Sequence, residues 1–206
     1  LELNSNNLTN LMNYTFGYLI SLRNLSLNSN LISFIDTNAF FNLSNLSCLI
    51  LSFNKIDNID NILINLTNLT YLNLESNLIT NIKLNNLKGL KSLEVLNMKS
   101  NKIESIDQKS FETNLNLLYL YLNNNHLKEI QDFTFNGLKK LQILNLKNNS
   151  INMKISEFAF NSTQIKNILF SLHNFSSKYI GYLKNTLEPN IKKRFANINY
   201  YNKKIF

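Results

Sequence analysis

Apolar side chains recur along this chain in one fixed register. Leu22, Leu46, Leu69, Leu93, Leu117, Leu141 and Ile165 follow one another at steps of 24, 23, 24, 24, 24 and 24 residues, and each opens the pattern L-x-x-L-x-L-x-x-N-x-L/I. The copies read Leu22-Leu25-Leu27-Asn30-Ile32, Leu46-Leu49-Leu51-Asn54-Ile56, Leu69-Leu72-Leu74-Asn77-Ile79, Leu93-Leu96-Met98-Asn101-Ile103, Leu117-Leu120-Leu122-Asn125-Leu127 and Leu141-Leu144-Leu146-Asn149-Ile151. A partial unit precedes them (Leu1, Leu3, Asn6, Leu8), and Ile165-Ile168-Phe170-His173-Phe175 closes the series with His in place of Asn. Self-similarity at such a period predicts a stack of like units, each too small to bury its own apolar face.

Within each unit, L-x-L is the period-2 alternation of a short strand with its leucines turned to one side. Stacking the units then gives a parallel sheet. The Asn column (Asn6, Asn30, Asn54, Asn77, Asn101, Asn125, Asn149) falls where the chain must turn out of the strand and leave backbone groups buried. A carboxamide carries both donor and acceptor, so an inward-pointing Asn can satisfy the backbone of its own coil and of the next. Five residues later stands a second apolar anchor (Ile35, Ile59, Ile82, Ile106, Ile130), and ten residues later usually Phe (Phe16, Phe40, Phe111, Phe135). A Leu often follows three further on (Leu19, Leu43, Leu90, Leu138).

On these residues the chain closely resembles the leucine-rich-repeat proteins from about Leu1 to Phe175, and its extended consensus is similar to their "typical" 24-residue subclass, found in extracellular receptors and matrix proteins. The resemblance implies an α/β repeat solenoid, a right-handed horseshoe with a parallel sheet on the concave face. Phe filling the interior implies an irregular or 3₁₀ convex side in place of long helices. Some positions depart from the pattern: Leu87 stands where Phe is expected, the second repeat is one residue short near Leu63, and the segment Asn152-Met153-Lys154-Ile155 adds one, displacing Phe160. Neither end carries the Cys cluster of the usual extracellular caps. We expect a solenoid over 1–175 and a separate basic flanking segment over 176–206.

If the L-x-L leucines point inward, the residues between them face out from the sheet. Cys48, Ile50, Phe53, Tyr71, Val95, Tyr119, Tyr121 and Ile143 then form an apolar, aromatic strip bordered by Asn and charged residues. Exposed patches of this kind mark interaction sites, and Tyr is a favoured anchor; strands also select aromatic and β-branched residues for packing alone. We take Ile50, Phe53, Tyr71, Val95, Tyr119, Tyr121 and Ile143 as the expected ligand-binding surface and a protein as the expected ligand.

Composition modifies this picture in three places. The chain is Asn-rich, with 4 Gly, 1 Pro and no Trp, as in products of AT-rich coding sequence, so an isolated Asn or Lys carries little meaning. The net charge of +8 comes from 21 basic and 13 acidic residues and resides in the second half. There Lys178, Lys184, Lys192, Lys193, Arg194, Lys203 and Lys204 face only Glu188 beyond position 178. That stretch reads as a solvated tail or the start of a flanking domain, because no helix or aromatic signature of a nucleic-acid module accompanies it. The single cysteine, Cys48, excludes an internal disulfide framework.

Sequons begin at Asn7, Asn13, Asn24, Asn42, Asn45, Asn65, Asn68, Asn148, Asn161 and Asn174. Asn42, Asn65 and Asn161 are the expected glycan carriers on the outer side. No run of apolar residues is long enough to span a bilayer, and the chain opens inside a repeat without an initiating Met, as a piece of a longer product would. His126, His173 and the pairs Asp57/Asp60 and Glu104/Asp107 fit structural or solvated positions, and no metal, cofactor or nucleophile constellation is visible. The expected function is therefore non-catalytic: the recognition or adhesion ectodomain of a secreted or cell-surface protein. The competing readings are an intracellular adaptor or regulatory subunit, and the sensor part of a larger receptor enzyme.

Overall fold

A computed structural model describes residues 1–149, 154–156, 158–160, 163, 165 and 167–170. The basic segment 176–206, the proposed boundary at 175, His173 and Asn161 lie outside the described residues.

Seven three-residue strands, Asn24–Ser26, Cys48–Ile50, Tyr71–Asn73, Val95–Asn97, Tyr119–Tyr121, Ile143–Asn145 and Asn167–Leu169, form one parallel sheet in chain order. Leu25, Leu49, Leu72, Leu96, Leu120, Leu144 and Ile168 are register partners from strand to strand. The middle residue of every strand therefore enters one continuous core, where all seven are buried. Each such side chain contributes about 2 kcal/mol by leaving water. The partial first unit continues the sheet through a parallel bridge between Glu2 and Ser26.

The outer side carries no helix among the described residues: the helical half of an α/β repeat is here contracted to single turns. They are closed by three-residue-spaced hydrogen bonds such as Gly17 N–H to Tyr14 O, Leu43 N–H to Phe40 O and Leu90 N–H to Leu87 O. Two-residue parallel pairings join Asn10–Leu11 to Phe34–Ile35, Asn81–Ile82 to Ser105–Ile106, and Glu129–Ile130 to Lys154–Ile155, carrying the second apolar anchors Ile35, Ile82, Ile106 and Ile130. Stacked phenylalanines fill the space behind the sheet, Phe16 on Phe40 at 6.1 Å, Phe111 on Phe135 at 5.9 Å and Phe135 on Phe160 at 5.4 Å. Leu63 and Leu87, both fully buried, occupy the same layer where the Phe spine is interrupted.

Among the Asn column, Asn30, Asn54, Asn77, Asn101, Asn125 and Asn149 are buried. Asn77 shows the arrangement: its Oδ1 accepts the N–H of Ile56, while its Nδ2 donates to Leu51 O, Leu74 O and Glu75 O. Leu51 and Ile56 belong to the preceding coil, so each amide ties its own turn backward along the chain and not, as the sequence suggested, forward to the next coil. Every bridging carbonyl is shared, Leu51 O between Asn54 and Asn77 and Leu74 O between Asn77 and Asn101. The result is an unbroken chain of hydrogen bonds along the solenoid. Asn6 departs from the rest, because it is exposed and bonds only Leu3 O and Asn4 O of its own coil. With no described coil before it, its remaining capacity faces solvent.

The residue before each ladder Asn has a left-handed backbone, with φ between 53° and 57° at Ser5, Ser29, Phe53, Ser76, Ser100, Asn124 and Asn148. Ser and Asn tolerate this conformation because a short polar side chain crowds the backbone little. Phe53 is the bulky exception.

Candidate functional site

The odd positions of the sheet strands form rows across the coils on the face opposite the core. In the first row Cys48, Tyr71, Val95, Tyr119 and Ile143 are successive register partners. They form an unbroken apolar line over five strands, spaced by the ~4.8 Å of a sheet. All five are half-buried, each leaning on its neighbours. The Tyr119 hydroxyl donates to Gln142 Oε1 at 3.3 Å, which orients that ring from the next coil. Burial, followed by the neighbouring acidic groups, pushes the Tyr71 phenol above its ordinary pKa, and burial does the same to the Cys48 thiol. At neutral pH both stay protonated, so Cys48 acts in the row as a small apolar side chain.

The second row is not one strip. Its apolar members Ile50 and Tyr121 are separated by Asn73 and Asn97, and the row continues beyond them to Ser26 on one side and Asn145 on the other. These amides are fixed by the turn that follows each strand: Asn73 Oδ1 accepts Glu75 N–H at 2.9 Å and Asn97 Oδ1 accepts Lys99 N–H at 3.1 Å. Glu75 is enclosed, receiving Lys99 Nζ at 2.8 Å and Asn97 Nδ2 at 3.0 Å. The face is thus an apolar row flanked by oriented polar groups, the composition that an interface core and rim require.

Phe53 lies beyond the rows, on the turn, with 54% of its surface exposed and φ at 55°. A bulky left-handed residue costs about 1 kcal/mol relative to one that tolerates the region, and here the ring gains little burial in return. Phe53→Ser, which restores the residue found in four other coils of the column, is expected to raise stability by up to about 1 kcal/mol. The check is the midpoint of chemical unfolding; a lowered midpoint would mean that the contacts of the ring outweigh the strain.

Of the expected glycan carriers, Asn42 and Asn65 are exposed on outer turns, away from these rows, and Asn42 Nδ2 donates weakly to Gly17 O of the preceding coil at 3.4 Å. Asn45 and Asn68 carry sequons but are committed to the preceding coil, donating to Ile20 O at 2.9 Å and Ser44 O at 2.8 Å. Sequence reasoning missed this second, outer amide column, continued by Asn116 on Lys91 O. Its signal was present in the sequence, an Asn immediately before the first consensus Leu, but Asn is too frequent in this chain to stand out. His126 is exposed. Asp60 binds Lys83 at 2.5 Å and Asn86 at 2.7 Å, and Lys83 holds its carboxyl below the usual range. These groups stand at outer turns and converge on no common point. Among the described residues, no three His, Cys, Asp or Glu side chains come together as a metal site would require, and no helix is long and apolar enough to cross a membrane.

A family profile described as leucine rich repeat matches residues 1–56, 44–103, 67–127, 92–151 and 116–162, which together leave no gap from the first residue to position 162. No curated protein matches the chain in sequence. Among solved structures, an internalin of Listeria monocytogenes superimposes with a TM-score of 0.63 at 26% identity over 82% of this chain and 46% of its own. The chain therefore spans less than half the length of that protein. Repeats of this family are protein-binding scaffolds and are generally non-catalytic. By the repeat pattern, the amide ladder and the parallel solenoid alike, this chain belongs to the leucine-rich-repeat family.

Proposed function

We propose that the chain is the recognition part of a secreted or cell-surface protein and that it captures a protein ligand on the open face of its sheet, without catalysis. The observation that carries this reading is the continuous row Cys48–Tyr71–Val95–Tyr119–Ile143, with Ile50, Tyr121 and Phe53 at its margins. An apolar line over five strands on which no second layer packs among the described residues is costly to leave in water unless a partner covers it. The strand positions are rigid because each coil is tied to its neighbours by sheet, ladder and core, so little ordering entropy is lost on binding.

The extracellular placement rests on the resemblance to the "typical" repeat subclass and on the exposed, outer-turn position of Asn42 and Asn65, where a glycan would leave the sheet face clear. Sugar on either residue, found on the chain purified from its own source, supports that placement. Unmodified side chains in a chain known to have entered a secretory pathway would count against glycan carriage, and recovery from the cytosol would shift the reading to an intracellular adaptor. Nucleic acid is not an expected ligand, since the face offers apolar and amide groups and its Lys99 is neutralised by Glu75.

The docking surface has a direct test. Tyr119→Glu combined with Tyr121→Glu is expected to weaken binding of a protein ligand, selected on the wild-type chain, by at least about tenfold. Both side chains project away from the core, so the unfolding temperature should hold. Unchanged affinity in the folded double variant would remove the sheet face as the site.

A further inference from the structure

We propose that Asn136 is a site of spontaneous covalent modification, deamidating through a cyclic imide with the Gly137 amide, and that the isoaspartate formed there loosens the stacking of its coil. Asn136-Gly137 is the single Asn-Gly pair in the sequence. Asn136 is half-exposed, and neither its carboxamide nor the Gly137 N–H has a hydrogen-bond partner among the described residues. The Gly137 nitrogen carries no Cβ beside it to hinder attack.

The contrast with Asn4-Ser5 and Asn28-Ser29, the two Asn-Ser pairs that lie wholly among the described residues, is in what the fold has already committed. Asn4 Oδ1 accepts from Ser26 Oγ and Asn28 N–H, and the Ser5 N–H donates to Asn28 O. Asn28 Oδ1 accepts from Ser52 Oγ, and the Ser29 N–H donates to Ser52 O. In both pairs the nucleophilic nitrogen and the carboxamide are held in inter-coil bonds. In Asn136-Gly137 neither is held by such a bond, although Gly137 itself is buried and only Asn136 reaches solvent.

The step balances without a redox partner. The Gly137 backbone nitrogen, losing its proton to base, attacks the Asn136 side-chain carbonyl carbon; the new C–N bond closes the imide, the C–Nδ2 bond breaks, and the nitrogen leaves as ammonia. Water then opens the ring at either carbonyl, giving aspartate, or isoaspartate in which the main chain runs through the former side chain. That second product adds a methylene to the backbone at a place with no room for it. A Cβ built on Gly137, whose φ is 93°, would stand 2.7 Å from Glu112 Cα, Glu112 O and Phe111 O. The displaced backbone must push against the preceding coil.

The test is to hold the folded chain at mildly alkaline pH and map it by mass over time, in parallel with Asn136→Gln. The expected result is a gain of about one dalton at Asn136, several-fold faster than at Asn4 or Asn28 and labelled by an isoaspartyl methyltransferase. The unfolding temperature of the aged wild type should fall in step, and that of Asn136→Gln should hold. Conversion at Asn136 no faster than at Asn4 and Asn28 would overturn the assignment of the site. Full conversion with an unchanged unfolding temperature would overturn its effect on stacking.

Discussion

Asn77→Ala should cost about 2–4 kcal/mol of stability, whereas Asn6→Ala should cost no more than about 0.5 kcal/mol, although both remove the same side chain from the same repeat position. At Asn77 the lost Oδ1 is the partner of the buried Ile56 N–H, which donates to no other described group. An orphaned buried donor costs about 1–3 kcal/mol alone. The two bridging carbonyls are weakened and not abandoned, since Leu51 O keeps Asn54 and Leu74 O keeps Asn101. The remainder of the cost is the small void left where the carboxamide stood. Asn6 lies in solvent, and water replaces both of its bonds. Chemical unfolding of the two variants measures the difference. Equal losses would show that the column acts through local turn propensity and that the inter-coil ladder contributes nothing.

The second large effect is expected at Gly89. Ala at this position should destabilise the chain by about 3 kcal/mol or more, while Gly17→Ala should stay within about 1 kcal/mol. A Cβ on Gly89 would overlap the backbone carbonyl of Ile64 in the preceding coil. A backbone group cannot rotate away as a side-chain tip can, so the coils must separate and the Leu63, Leu87 and Leu90 packing between them must open. The crowding has a local origin: Ile64 lies in the one repeat that is a residue short, and its outer turn runs close to the next coil. Gly17 has its nearest contact at 3.3 Å, from Tyr14 within its own turn, which can give slightly. Thermal unfolding separates the two variants. A Gly89→Ala chain with wild-type stability would mean that the short repeat relaxes outward at no cost.

These two residues mark different degrees of legibility. The Asn column was readable because one residue type recurs in one register between apolar positions, and the chemistry of a carboxamide explains why it must. Its direction was not readable: bonding to the next coil was the expectation, and the structure shows the amides reaching back to the preceding one. Gly89 and Gly137 stand two periods apart in the same column, but glycine gives no sign of whether it serves a left-handed turn or a close approach. Here Gly137 serves both purposes and Gly89 the approach. Asn114 was equally silent. It takes the place of the Leu found at Leu43, Leu90 and Leu138, and it is fully buried, donating to Leu87 O at 3.1 Å and Leu90 O at 2.9 Å while its Oδ1 meets no partner.

The candidate site was legible to the same extent. Alternation along each strand placed Tyr71, Val95, Tyr119, Tyr121, Ile143 and Ile50 on the face opposite the leucines, and the structure has them there. What alternation cannot give is the lateral order. Register pairing makes one row continuous and divides the other with Asn73 and Asn97, whose orientation is set by the Glu75 and Lys99 backbone amides.

The repeat period, the buried leucine and asparagine columns and the sheet were determined by the sequence, because each follows from local periodicity and from the demand that buried polar groups be paired. The continuity of the apolar row, the second amide column, the strain at Phe53 and the tight approach at Gly89 were decided by tertiary structure. Each depends on distances between residues about one period apart, and those distances are fixed only once the coils have stacked and their spacing is common to all.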